Sequence, residues 1–163
     1  MPHETIDFGK LSKDPANSYT LPGNFYTRPE VWGLEKEKIF YRSWNYVASA
    51  ASLVDVGSYI AVTIVDQNIF VARGKDGVLR GFYNVCSHRA HELVQGQGRM
   101  NAITCPYHAW VYELTGKLRP NPAFKKMEEF RTEEFCLKPV RVEEFCGFVF
   151  VNLDPDAATM REQ

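Results

Sequence analysis

The sequence contains few of the residues that most often bind metals, with only four cysteines and four histidines among 163 residues. It also lacks an apolar run near the roughly 20 residues that a membrane-spanning helix needs. Its N-terminus has no apolar stretch after a basic one, as a secretory signal would. We therefore expect a cytoplasmic protein, with no membrane partner, whose cysteines are reduced thiols or metal ligands.

An excess of charge of one sign is lacking as well. The formal net charge is −1, and no run of basic residues is longer than two. Nucleic-acid-binding domains and proteins of anionic membranes usually show a basic patch, so we expect no nucleic acid as a partner. The length suits one domain with a hydrophobic core, and the share of hydrophobic residues, 45%, is ordinary for a globular chain.

From Asn45 onward the sequence consists of short runs rich in Val, Ile, Phe and Tyr, separated by turn residues. Two hairpins are predicted around residues 75–77 and 115–116. Short strands at this spacing predict an all-β sandwich or small barrel. The predicted strands lie in residues 45–49, 58–65, 68–74, 78–85, 110–114, 138–145 and 147–153.

The two ends of the sequence read differently. Residues 1–24 are polar and interrupted by proline and glycine, which predicts an extended arm. Thr27 as a cap, Pro29 in the first turn and Glu30 at capping-box spacing predict a helix, which we place at 25–44. The polar residues 156–163 are predicted to begin a linker to a catalytic domain that this sequence does not contain.

The few cysteines and histidines are concentrated in one stretch. Cys86-x-His88 is followed, after 16 residues, by Cys105-x-x-His108. One interpretation is a structural zinc site with two thiolates and two imidazoles. The other is a Rieske centre, in which two cysteines hold one iron of a 2Fe–2S cluster and two histidines hold the other. The spacing favours the second, because a C-x-H pair is cramped for one tetrahedral ion, whereas a two-iron cluster needs one Cys and one His from each loop.

The stretches "CSHR" at 86–89 and "CPYHAW" at 105–110 resemble the Rieske domain of ring-hydroxylating, or Rieske non-haem iron, oxygenase large subunits. They are most similar to the branch that acts on quaternary amines such as choline, glycine betaine and carnitine. The similarity extends to "LPGNFYTRPEVWGLEKEKIFYRSWNYV" and "GFVFVNLDPDA". It implies a Rieske-type antiparallel β-sandwich or small barrel at 45–155, with an N-terminal helix before it and two cluster-binding loops.

The resemblance also implies roles for residues beside the four metal ligands. Arg89 is assigned either to charge compensation and partner contact or to the solvated surface, and His91 either to the cluster's surroundings or to a hydrogen bond within its loop. Tyr107 and Trp110 are expected to shield the cluster from water. Tyr112 is expected to donate a hydrogen bond to a ligand sulfur.

Two departures from the family pattern bear on the loops. Glycine more often stands where this sequence has Ala90 and Ala109, so we expect the loops not to need a glycine-only backbone there. The disulfide and the serine donor of respiratory Rieske proteins are lacking, since His91, Tyr107 and Trp110 occupy those places. Fewer hydrogen bonds to the sulfurs predict a low potential, on the order of −150 to 0 mV.

A second, mononuclear iron would need two histidines and a carboxylate. With His88 and His108 assigned to the cluster, only His3 and His91 remain. We therefore expect the chain to carry one electron and not to complete an oxygenation alone. The mononuclear iron is expected only in the catalytic domain.

The implied partners are a flavin and iron–sulfur reductase or a ferredoxin as electron donor, and a catalytic domain of the same or a neighbouring subunit as acceptor. The full-length protein is expected to be a homotrimer. The alternative is a stand-alone Rieske-type ferredoxin that only carries electrons. The extension of about 40 residues before Asn45 favours the oxygenase arrangement, because such ferredoxins begin almost at the first strand.

Overall fold

A computed structural model describes residues 7–122, 124 and 129–162. Contacts divide the chain into one unit that ends at Ile39 and a second that begins at Phe40. The first unit contains two short 3-10 turns, Pro15–Asn17 and Gly23–Tyr26, and helix α1 at Pro29–Glu35. A wider helical turn follows at Lys36–Phe40.

Helix α1 is shorter than the predicted helix at 25–44, and its cap differs. The N-cap residue is Arg28, which makes no side-chain capping bond. Thr27, the predicted cap, instead donates from its hydroxyl back to the Asn24 carbonyl at 3.4 Å, because it closes the preceding 3-10 turn. Pro29 does occupy the first turn, as its missing N–H allows.

The second unit is built on antiparallel strands, as predicted. Seven of them form one sheet in the order β1-β9-β8-β4-β3-β2-β5, and β6 pairs with β7 in a separate two-stranded sheet. The strands are β1 Asn45–Ser49, β2 Ser58–Ile64, β3 Gln67–Arg73, β4 Leu79–Tyr83, β5 Gln97–Arg99, β6 Ile103–Thr104, β7 Val111–Tyr112, β8 Pro139–Phe145 and β9 Phe148–Asn152.

Strand β3 explains where the core lies. Its side chains alternate between the two faces of the sheet, as the period of a strand requires. Phe70 and Ala72 pack in a cluster that also contains the two cysteines of the ligand stretch. Ile69 and Val71 pack in a second cluster with residues of β9. All four are fully buried, so both faces of β3 are covered by core.

None of the helices in the described part of the chain combines the length and hydropathy needed to cross a membrane.

Candidate metal centre

Two loops carry the four candidate ligands, and their backbones are closed in the same way. In the loop that follows β4, the Cys86 N–H donates to the His91 carbonyl at 2.8 Å and the Ala90 N–H donates to the Cys86 carbonyl at 2.9 Å. In the loop between β6 and β7, Cys105, Ala109 and Trp110 repeat the pattern, with bonds of 2.8 and 3.0 Å. Each cysteine is thus the first residue of a matching turn.

The matching turns place both alanines in the left-handed region, with φ of 52° at Ala90 and 54° at Ala109. The expectation that these positions avoid a glycine-type backbone is therefore wrong. Each alanine N–H must turn back to the carbonyl of the cysteine four residues earlier, and the chain must then reverse within one residue. Glycine adopts this conformation without the Cβ clash that alanine meets.

The two cysteines are the buried donors of the site. Cys86 and Cys105 are each 2% exposed and belong to the core cluster on one face of the sheet. All four cysteines of the chain are free thiols. Free cysteines are usually buried, but Cys136 is only half-buried, and Cys146 is exposed because it lies in the turn between β8 and β9.

Tyr112 lies directly against one of these thiols. Its hydroxyl is 3.2 Å from the Cys86 Sγ and accepts a hydrogen bond from the Ser87 N–H at 3.2 Å. Burial, and then the bond to Cys86, raise the pKa of the Tyr112 hydroxyl far above its ordinary value. The hydroxyl therefore keeps its proton and is placed where it can donate to a thiolate at Cys86.

The two histidines meet nearer the surface. Their ring centroids are 4.7 Å apart, with His88 half-buried and His108 exposed. The Nδ1 of His88 is buried and has no hydrogen-bond partner in the described structure. Desolvation, followed by electrostatic repulsion from His88 and Arg89, lowers the pKa of His108. A neutral ring with a free nitrogen is the form that binds a metal.

The predicted neighbours occupy different positions around these rings. Trp110 is half-buried and stacks on His88, with ring centroids 4.6 Å apart and planes 10° apart. Tyr107 is 56% exposed and lies beside His108, at 3.8 Å between centroids, and His91, at 5.4 Å. Arg89 is exposed. Trp110 covers the ring of one candidate ligand, whereas Tyr107 forms an exposed flank of the site.

Asn84 was missed as a residue that builds the site. It is buried, and its Oδ1 accepts from the N–H groups of Leu93 and Val94 at 3.1 Å each. Its Nδ2 donates to the Val94 carbonyl at 2.6 Å and to Asn68 at 3.1 Å. Asn84 thereby fixes the far end of the first loop to the sheet. The sequence feature that could have identified Asn84 is its position as a polar residue near the end of a predicted strand, two residues before Cys86.

The residues present fit a cluster with two metals. The donors are two buried thiols, one of which faces a protonated tyrosine hydroxyl, and two histidines, one with an orphaned ring nitrogen. Across the residues that the structure describes, no three or more Cys, His, Asp or Glu side chains are placed to hold a single ion. Two cysteine sulfurs and two histidine nitrogens are the ligand set of a Rieske centre.

The family comparison agrees with this geometry. Residues 43–131 match the Rieske [2Fe-2S] domain. The chain belongs to the Rieske [2Fe-2S] domain family, and its cofactor is a Rieske 2Fe–2S cluster.

The similar proteins are oxygenase subunits. The chain is 42% identical over 151 residues to the carnitine monooxygenase oxygenase subunit of Escherichia coli strain K12. The matched region is 92% of this chain and 40% of that protein. It is 40% identical over 137 residues to the glycine betaine monooxygenase oxygenase subunit of Chromohalobacter salexigens, a match that covers 83% of this chain and 30% of that protein. The chain is also 45% identical to a solved quaternary ammonium Rieske monooxygenase, whose structure is described as revealing insights into carnitine oxidation by gut microbiota and inter-subunit electron transfer. The two structures align with a TM-score of 0.86 over 90% of this chain and 40% of that one. The chain therefore spans 40% or less of the length of these relatives.

Proposed function

We propose that Cys86 and Cys105 bind one iron of the 2Fe–2S cluster and that His88 and His108 bind the other. The observation that carries this proposal is the pair of matching loops, each of which presents one buried thiol and one histidine. When bound, the cluster supplies one-electron redox chemistry.

The surrounding residues have separate tasks in this proposal. Tyr112 holds its proton toward Cys86 and stabilises the negative charge on that sulfur. Trp110 excludes water from the face of His88. His108, Tyr107, Arg89 and His91 form the exposed side, where a redox partner can approach the outer metal ligand.

Reconstitution with iron and sulfide under anaerobic conditions tests the ligand assignment. We expect a brown protein with the iron content of one 2Fe–2S cluster and a Rieske-type EPR signal after reduction. Cys105→Ser should lose the cluster and much of the stability, because metal binding and folding are coupled. Cys136→Ser is the matched control and should keep both. A Cys105→Ser protein that binds as much cluster as the parent would contradict the assignment.

A histidine variant tests the outer iron. His108→Cys should retain a cluster with a lower midpoint potential, since a thiolate donates more charge to iron than an imidazole does. Voltammetry of the two reconstituted proteins measures the difference. An unchanged potential would exclude His108 as a ligand.

At the level of the whole protein, we infer that the chain is the electron-transfer domain of a Rieske oxygenase subunit. It would receive electrons from a reductase or ferredoxin and pass them to a mononuclear iron held by residues outside this sequence, in the same or a neighbouring subunit of a homotrimer. The substrate class we propose is a quaternary ammonium compound, and the compartment is the cytoplasm. Support comes from the names of the similar proteins, two of which act on carnitine or glycine betaine.

Following the reading frame past the codon for Gln163 tests this role. A continuing frame with two histidines and a carboxylate suited to iron would support the oxygenase role, and the complete product can then be assayed with carnitine, glycine betaine and choline. Substrate-dependent oxygen consumption with a reductase is the expected result. A stop codon at that position would refute the role and leave a free electron carrier.

A further inference from the structure

The two candidate histidine ligands have unequal surroundings. His108 is exposed, as is Tyr107, whose ring lies beside it, and so is His91, whose ring lies on Tyr107. His88 is half-buried, and its ring lies almost parallel to Trp110. The centroid distance of 4.6 Å and the angle of 10° fall in the range of offset-stacked aromatic pairs.

Trp110 in turn contacts three further aromatic rings. Three phenylalanines, which we term the aromatic cage, meet its ring edge-to-face at centroid distances between 5.3 and 5.9 Å; they are Phe124, Phe130 and Phe135. The cage residues also contact each other, since Phe130 lies 4.5 Å from Phe124 and stacks on Phe135 at 4.6 Å. The indole therefore has little freedom to turn away from His88.

The cage is also fastened to the first ligand loop. The Ser87 hydroxyl donates to the carbonyl of Cys136 at 3.2 Å, which links the residue before His88 to the residue after Phe135. The indole comes from the second loop and the cage from the chain that follows it. The first ligand loop, the second ligand loop and the cage are thus linked to one another through Trp110 and the bond from Ser87.

We propose that Trp110, clamped by the aromatic cage, is a positioning residue that fixes the ring plane of His88 and so makes the two histidines inequivalent toward the outer iron. A ring that cannot rotate presents its Nδ1 in one direction, and this nitrogen is buried without a partner in the described structure. Groups around a metal ligand commonly set its orientation through a hydrogen bond. Here a stacked indole performs that task. The inference rests on the proposed ligand assignment.

The first test needs no cluster. In the metal-free protein with labelled histidines, NMR should show the carbon-bound ring protons of His88 shifted upfield by the indole ring current. Trp110→Leu should remove that shift, and Trp110→Phe should keep part of it. Phe135→Leu, which loosens the cage, should give an intermediate shift. The matched control is Phe148→Leu, an exposed aromatic on β9, which should leave His88 unchanged.

The second test uses the reconstituted protein and pulsed EPR of the reduced cluster with 15N-histidine. We expect two nitrogen couplings, of which Trp110→Leu alters one and leaves the other, with Trp110→Phe restoring most of the parent value. Two unchanged couplings in a fully loaded Trp110→Leu protein would overturn the proposal, and so would two couplings that change equally. Failure of the parent chain to bind any cluster would instead refute the ligand assignment and leave the NMR result standing.

Discussion

Within the ligand loops, Ala90 and Ala109 adopt a backbone conformation that their Cβ atoms disfavour. Both have positive φ in a turn that the hydrogen bonds of the cysteine N–H and C=O require. An L-residue in this region costs roughly 1–2 kcal/mol relative to its favoured conformations. The loops therefore store a small strain at equivalent positions.

We expect Ala90→Gly and Ala109→Gly each to raise the free energy of unfolding by about 1 kcal/mol, because glycine reaches the left-handed region freely. Denaturant unfolding of the metal-free protein measures the change. Ala61→Gly, in strand β2, is the control and should lower stability, since glycine weakens an extended strand. A loss of stability in both loop variants would show that φ in these turns differs from the structure.

Tyr112 provides a second prediction at the residue scale. Tyr112→Phe removes the hydroxyl that faces Cys86 and accepts from the Ser87 N–H. Stability should fall by about 1 kcal/mol, the usual net value of a hydrogen bond. The midpoint potential should also fall, because a donor that stabilises the electron-rich reduced cluster is lost. Voltammetry of the reconstituted variants measures this change in potential. Tyr83→Phe, at a half-buried position on β4, is the control for the loss of any tyrosine hydroxyl and should leave the potential unchanged.

At the scale of elements, the first ligand loop depends on its anchor to the sheet. Asn84 satisfies the N–H groups of Leu93 and Val94 and the Val94 carbonyl with one buried side chain. Asn84→Ala leaves these groups without partners and should cost roughly 2–3 kcal/mol. The loop should then release the cluster faster, which the decay of visible absorbance in a chelator measures. Asn101→Ala, an exposed residue, should change neither quantity. An unchanged decay rate in Asn84→Ala would rule out the anchoring role.

The strands and loops also show which parts of the structure could be predicted from the sequence. Strands with alternating or continuous apolar residues were predicted within a few residues, because their pattern is local. Strands β5 and β6 were missed, since "QGR" and "IT" are too short and too polar to carry a pattern. The four proposed metal ligands were predicted from their spacing. The aromatic cage was not, because it depends on contacts between Trp110 and residues up to Phe135 that no spacing rule encodes.

At the scale of the whole molecule, several carboxyl groups on separate segments have a lowered pKa, among them Asp76, Glu92 and Glu162. A side-chain bond from Arg80 lowers the pKa of Asp76, and bonds from Gln95 and Asn68 lower the pKa of Glu92. The backbone N–H and hydroxyl of Thr159 do the same for Glu162. A carboxyl with a lower pKa in the folded state adds stability above its ordinary pKa and loses it as the pH falls through the folded value. The metal-free fold should therefore weaken in acid.

We expect the unfolding temperature of the metal-free protein to fall steadily from about pH 5 downward. Glu92→Gln should flatten that dependence, because an amide keeps the same shape and does not titrate. Glu92 binds Asn68 and lies 3.5 Å from Asn84, so its protonation loosens the anchor of the first ligand loop as well. Glu129→Gln, an exposed carboxyl that makes none of these contacts, is the matched control. Calorimetry of the three proteins between pH 7 and 3 measures the unfolding temperature as a function of pH. If the unfolding temperature of Glu92→Gln falls as steeply as that of the parent, Glu92 does not couple protonation to the stability of the fold.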